Sequence, residues 1–102
     1  MARILAQDAE KMLGKVPDGK EFRCCDGNTL QDVRELGGAL ISMSDETFNH
    51  HANEGRKDFG NWVRDVIGDQ KLANDLDKSP TRNQAAKNVT KRVAFLSEKL
   101  SL

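Results

Sequence analysis

Apolar residues recur at helical spacing along most of this chain and alternate over one short stretch. Leu5, Ala9, Met12 and Val16 lie four, three and four residues apart, which predicts a helix ended by Gly14 and Pro17-Asp18-Gly19. From residue 20 to 25 the pattern alternates, with Phe22 and Cys24 on one side and Glu21, Arg23 and Cys25 on the other. That predicts a half-buried strand turning at Asp26-Gly27 and returning briefly through residues 28–30. Asp32 and Glu35 have the spacing of a capping box, in which each side chain bonds the other residue's backbone N–H, and they open a second helix lined by Val33, Leu36, Leu40 and Met43. Gly37 and Gly38 each weaken it by about 1 kcal/mol relative to Ala, so a neighbouring helix is expected to approach closely there.

Ser44 is the expected N-cap of a short third helix that carries Phe48, His51 and Ala52 inward and stops before Gly55. Asp58 is expected to cap the next helix, whose apolar positions are Phe59, Trp62, Val63, Val66 and Ile67. Leu72, Ala73 and Leu76 predict about two further turns. After Ser79-Pro80, Thr81 and Gln84 start the last helix, with Ala85, Val89, Val93, Leu96 and Leu100 as the longest stripe in the chain. The expected fold is α+β, mainly α, with about five helices packed round Phe48, Phe59 and Trp62 and a short two-stranded ribbon near residues 21–30. Two strands alone are marginal in water, so the ribbon must lean on helices.

The 102 residues suit one domain, taken as 1–102, since they hold no repeat and no linker long enough to divide them. No apolar run approaches the roughly 20 residues that cross a bilayer and the N-terminus opens no signal-peptide core, so a cytoplasmic protein without membrane contact is expected. Cys24 and Cys25 are adjacent, and neighbours on a strand point to opposite sides, which argues for free thiols. Charge is balanced at 16 basic and 16 acidic residues but unevenly placed. Residues 1–77 carry 10 basic and 15 acidic groups, and residues 78–102 carry 6 and 1. A basic last helix either docks on its own acidic body or offers a nucleic-acid surface, and the zero net charge and absence of Tyr favour the first.

The densest chemistry lies in residues 48–69, which hold both His, the only Trp and two of the four Phe. The pattern F-x-x-H-x-N-x-x-x-x-D-F-x-N-W-[IV]-x-D-V stands here as Phe48, His51, Asn53, Asp58, Phe59, Asn61, Trp62, Val63, Asp65 and Val66. It resembles a small archaeal and bacterial domain family of unknown function. That family's N-terminal half, a strand with a D-G turn followed by a leucine-rich helix, is similar to FRCCDG at residues 22–27 and DVRELGGAL at residues 32–40, so the resemblance runs over about residues 20–93. Lys57 stands where the pattern has Asn, and Cys25 where it has His. The resemblance implies a domain found alone or attached to larger proteins, and it names no reaction.

His51, Asn53, Asp58, Asn61, Trp62 and Asp65 are therefore the candidate binding residues. A histidine oriented by Asp58 or Asp65 could move protons; the same groups could instead cap a tight helix–turn–helix corner, the reading favoured here. A metal site is not expected, because structural zinc ligands are spaced two to four residues apart, whereas Cys24 and Cys25 diverge on a strand and His50 and His51 point about 100° apart on a helix. No catalytic residue or cofactor is assigned, and the phosphate-cradle, dinucleotide and hydrolase motifs are missing. Phe95 lies about 80° outside the last helix's apolar stripe, between Lys91 and Lys99, and is the candidate anchor for self-association or another protein. The expected role is a non-enzymatic binding or accessory module.

Overall fold

The structure, a computed structural model, describes residues 5–100. Its elements in chain order are α1 (Ala6–Leu13), β1 (Phe22–Arg23), β2 (Thr29–Leu30), α2 (Val33–Ser42), α3 (Asp45–His51), β3 (Ala52–Asn53), β4 (Arg56–Lys57), α4 (Asp58–Trp62), a π-helical turn (Val63–Ile67), α5 (Gln70–Asp77) and α6 (Arg82–Leu100). The expected α+β, mainly helical architecture is present, with the ribbon at the expected place. Both sheets are antiparallel pairs, β1 with β2 and β3 with β4.

The long stripe on α6 makes it the common support. It packs against α2, α1 and α5, burying Ala85, Ala86, Val89 and Leu96. Gly37 lets α2 come close, since a Cβ there would stand 3.1 Å from Val89 Cγ1, whereas Gly38 has nothing within 4 Å and no packing role. Helix α1 ends earlier than its apolar stripe: Gly14 leaves helical geometry, and Val16 instead donates its N–H to Gln31 O at 2.8 Å, tying the extended segment to the chain leaving the ribbon.

The caps follow the sequence with one exception. Asp32 accepts from Glu35 N at 2.8 Å, Ser44 from Thr47 N at 3.1 Å and Thr81 from Gln84 N at 3.1 Å. Glu35 reaches one residue further back than expected, accepting from Gln31 N. Asp58 is the exception. It is the first residue of α4 rather than its N-cap, and its carboxylate caps nothing in that helix. The reason is the unexpected second hairpin, with Ala52 paired to Lys57 and Asn53 to Arg56, which occupies the residues expected to form a plain turn.

In the first ribbon Phe22 pairs with Leu30, and both are buried. The turn closes through Gly27 at φ 96°, a left-handed conformation that costs glycine little. Phe22 then stacks on Phe59 at 5.0 Å between ring centroids and meets Trp62 edge-on at 5.8 Å; Phe48 also stacks on Phe59, at 5.9 Å. The Trp62 indole donates to Lys20 O at 2.8 Å, so its one polar atom is satisfied at the core's edge. After Trp62 the helix widens: Gly68 and Asp69 both donate to Val63 O, at 2.7 and 3.2 Å, and Gly68 leaves at φ 86°. This π turn buries Val63 and Ile67 and leaves Val66 only partly covered, in place of the Phe59–Trp62–Val66 face of an unbroken α-helix.

A buried ion pair joins the last two helices. Asp69 is 1% exposed, caps α5 by accepting from Leu72 N at 3.2 Å, and receives Arg92 in a two-point contact, Nε at 2.8 Å and Nη2 at 3.0 Å.

Candidate functional site

Three short elements, the β1–β2 turn, the C-terminus of α3 and the β3–β4 hairpin, converge on His51. Ser44 starts α3 in the register that turns His51 inward together with Phe48, and both are buried. The imidazole meets Phe22 at 5.1 Å and Phe59 at 5.4 Å between centroids, so it is part of the aromatic core. Its nitrogens point out of that core in two directions. Nε2 accepts the backbone N–H of Cys25 at 3.0 Å. Nδ1 lies 2.9 Å from Asp58 Oδ2. Because a backbone N–H can only donate, Nε2 carries the lone pair and Nδ1 the proton. Arg56 from β4 donates to the same Asp58 oxygen at 2.6 Å. Burial pushes the Asp58 carboxyl up, but the hydrogen bonds from His51 and Arg56 and the nearby Arg56 charge outweigh it and hold the group below the usual carboxylate range.

The other predicted residues separate. Asn53 works inside the hairpin: its Nδ2 donates to Asn49 O at 2.8 Å, satisfying a last-turn carbonyl of α3, and its Oδ1 accepts from Gly55 N at 2.9 Å. Asn61 is exposed and accepts from Arg64 at 3.2 Å. Asp65 is exposed on the π turn, and no hydrogen bond joins it to His51 or Asp58. Trp62 is core. Phe95 is 38% exposed, with the Arg92 guanidinium 5.2 Å and the Lys99 ammonium 4.9 Å from its ring centroid, so the ring lies on the exposed side of α6 with cations against it.

The structure brings together residues that spacing kept apart. The strand expected over residues 20–25 ends at Arg23, and the turn that follows still separates the two thiols: Cys24 is buried and Cys25 exposed, and burial pushes the Cys24 thiol up. His50 and His51 do not diverge: their rings meet edge-on at 4.9 Å. Donor atoms of Cys25, His50 and His51 all lie within 4.8 Å of one another. The expected divergence of the two imidazoles is not met, and the third donor arrives from a turn 25 residues earlier, a juxtaposition that depends on how the ribbon docks.

On another side of the hairpin a cleft of about 250 Å³ opens towards the α5–α6 junction. Phe48, Phe59, Leu76 and Ala85 line it with apolar surface, and Asn53, Glu54, Lys57, Asp77 and Lys78 add polar groups. Asp77 gives Oδ2 to Arg64 at 2.6 Å, while its Oδ1 is buried without a hydrogen-bond partner. That carboxylate occupies the space a Cβ would take at Gly60, and Ala73 O lies 3.1 Å from the same position, so a larger residue there would have to displace Asp77. Sequence reading missed Asp77 and Gly60; the only sequence signal was a glycine inside an otherwise apolar helical run.

Comparison with protein-family models, with curated proteins and with solved structures gave no match, so the resemblance of the motif in residues 48–66 does not establish membership of a family. No described helix is long and apolar enough to cross a membrane.

Proposed function

We propose that this chain is a small non-enzymatic binding module whose ligand site is the cleft between the β3–β4 hairpin and the α5–α6 junction. The lining of that cleft carries the reading: an apolar floor from Phe48, Phe59 and Leu76 beside charges of both signs on Lys57, Lys78 and Asp77. Its volume of about 250 Å³ sits just below the roughly 300–1,000 Å³ of drug-sized pockets, which suits one apolar side chain of a peptide flanked by charged neighbours rather than a large cofactor. His51 supports the same conclusion from the opposite direction. Both of its nitrogens are engaged in holding backbone and hairpin, and an imidazole whose lone pair already takes a backbone N–H makes a poor general base.

The nucleic-acid reading of α6 loses support from its guanidiniums. Arg82 donates to Asp45 and to the carbonyls of Leu40 and Ile41, and Arg92 to Asp69, so both are turned onto the acidic body. The test is a backbone amide NMR titration of the full chain with short capped peptides that pair Leu or Phe with Asp or Lys. Shifts centred on Asn53, Lys57, Gly60 and Lys78, weakened by Lys78→Glu for acidic peptides, are expected. Shifts confined to α6 around Phe95 would move the site to the helix face that self-association would use and overturn the cleft assignment.

A further inference from the structure

We propose that Cys25, His50 and His51 form a binding site for a borderline-soft divalent cation, with zinc as the favoured ion. The first support is donor type. One sulfur and two imidazoles select zinc or copper over magnesium or calcium, which take oxygen ligands. The second is distance. Tetrahedral zinc with bonds of about 2.3 Å to sulfur and about 2.0–2.1 Å to nitrogen needs its donors roughly 3.4–3.6 Å apart. The three donors already lie within 4.8 Å, so closure moves any pair together by about 1.4 Å at most. Cys25 and His50 are exposed and sit on a turn and at a helix end, where such movement is cheap.

The third support is independent of the cluster itself. His51 is 5% exposed, and its Nδ1–H is held by the Asp58 carboxylate at 2.9 Å. A carboxylate behind the far nitrogen is the usual partner of a metal-bound histidine, because it fixes the tautomer and raises the basicity of the near nitrogen. Here it fixes the lone pair on Nε2, the atom 3.0 Å from Cys25 N. On metal binding Nε2 exchanges the Cys25 N–H for the ion. That N–H lies in an exposed turn where water replaces the lost acceptor. The Cys25 thiol releases one proton to solvent and binds as thiolate, with no change of oxidation state. Three protein donors leave a fourth tetrahedral position for water.

Arg56 is the group that opposes a cation. Its Nη1 lies 3.2 Å from His50 Nε2, but the side chain is 47% exposed and Nη2 keeps it on Asp58, so it can release His50 towards solvent.

The test is a cobalt(II) titration of the full chain after chelator treatment, followed by absorption and then by zinc competition. One cobalt per chain is expected, with a sulfur-to-cobalt charge-transfer band that zinc abolishes. Cys25→Ser should remove the band, and Cys24→Ser should leave it. His50→Ala and Asp58→Asn should each weaken binding roughly tenfold or more, the usual effect of losing a ligand or its supporting carboxylate. Because Cys25 and His50 are exposed, their variants keep the fold, which circular dichroism checks independently. Absence of the band at excess cobalt, a band that survives Cys25→Ser, or unchanged affinity in His50→Ala would overturn the site.

Discussion

Replacing Arg92 with Met is the most informative test of how α6 is held. The Arg92 side chain is 10% exposed and Asp69 1%, so the substitution leaves a carboxylate inside the protein whose remaining bond is the cap to Leu72 N. Removing one partner of a buried pair costs about 3–5 kcal/mol, because the surviving charge is neither solvated nor paired. A domain of this size has roughly 5–15 kcal/mol of stability in all, so the variant should lose about a fifth of it or more. The double variant Asp69→Ser/Arg92→Met removes both charges, keeps a capping hydroxyl, and should be no more than about 1–2 kcal/mol below the parent. Urea unfolding followed by Trp62 fluorescence measures both, with equal slopes required for the comparison. A loss under about 1 kcal/mol in Arg92→Met would mean that water reaches Asp69 and that the pair does not anchor the basic helix.

Gly37 and Gly38 should separate cleanly. Gly38→Ala should stabilise by about 0.5–1 kcal/mol, since nothing meets the added methyl, while Gly37→Ala should destabilise through its contact with Val89 unless α6 shifts, both read by thermal unfolding. Trp62→Ala should cost about 3–5 kcal/mol and free Lys20 O, whereas a parent emission maximum like that of indole in water would refute the buried position. For Asp58 the folded carboxyl titrates below its ordinary value. Its contribution is therefore full above about pH 4 and lost as pH falls through the folded value, so the stability gap between parent and Asp58→Asn, measured with chelator present, should close in acid; a gap constant from pH 7 to pH 3 would contradict the pairing with His51 and Arg56.

Helices, caps and the first ribbon were legible because each rests on local chemistry. Ser44, Asp32 and Thr81 cap by reaching three residues ahead, and Phe22 and Cys24 alternate into the core with no information beyond the strand period. The π turn was not legible, because Val63 to Ile67 carry an ordinary helical pattern and the extra residue per turn is decided by how Gly68 and Asp69 join α5. The second hairpin was hidden for a different reason. Its strands are two residues each, too short for any alternation, and Asp58, which follows it directly, binds His51 rather than capping α4. Asp69–Arg92 and Cys25–His51 join elements 23 and 26 residues apart, and only packing reveals them. Of the residues singled out around His51, Asp58 meets its imidazole, Asn61 and Asp65 do not, and Cys25, His50 and Arg56 come in from neighbouring elements.

The measurement that bears most directly on this account is the tautomer of His51 in the metal-free protein, read from long-range nitrogen–proton NMR correlations of the imidazole. His51 should appear as a single neutral Nδ1–H form at pH 7, with Nε2 unprotonated and the Cys25 amide protected from exchange. An Nε2–H tautomer, or a ring averaging between forms with a rapidly exchanging Cys25 amide, would contradict both the structural role of His51 and the lone pair on which the cation site depends.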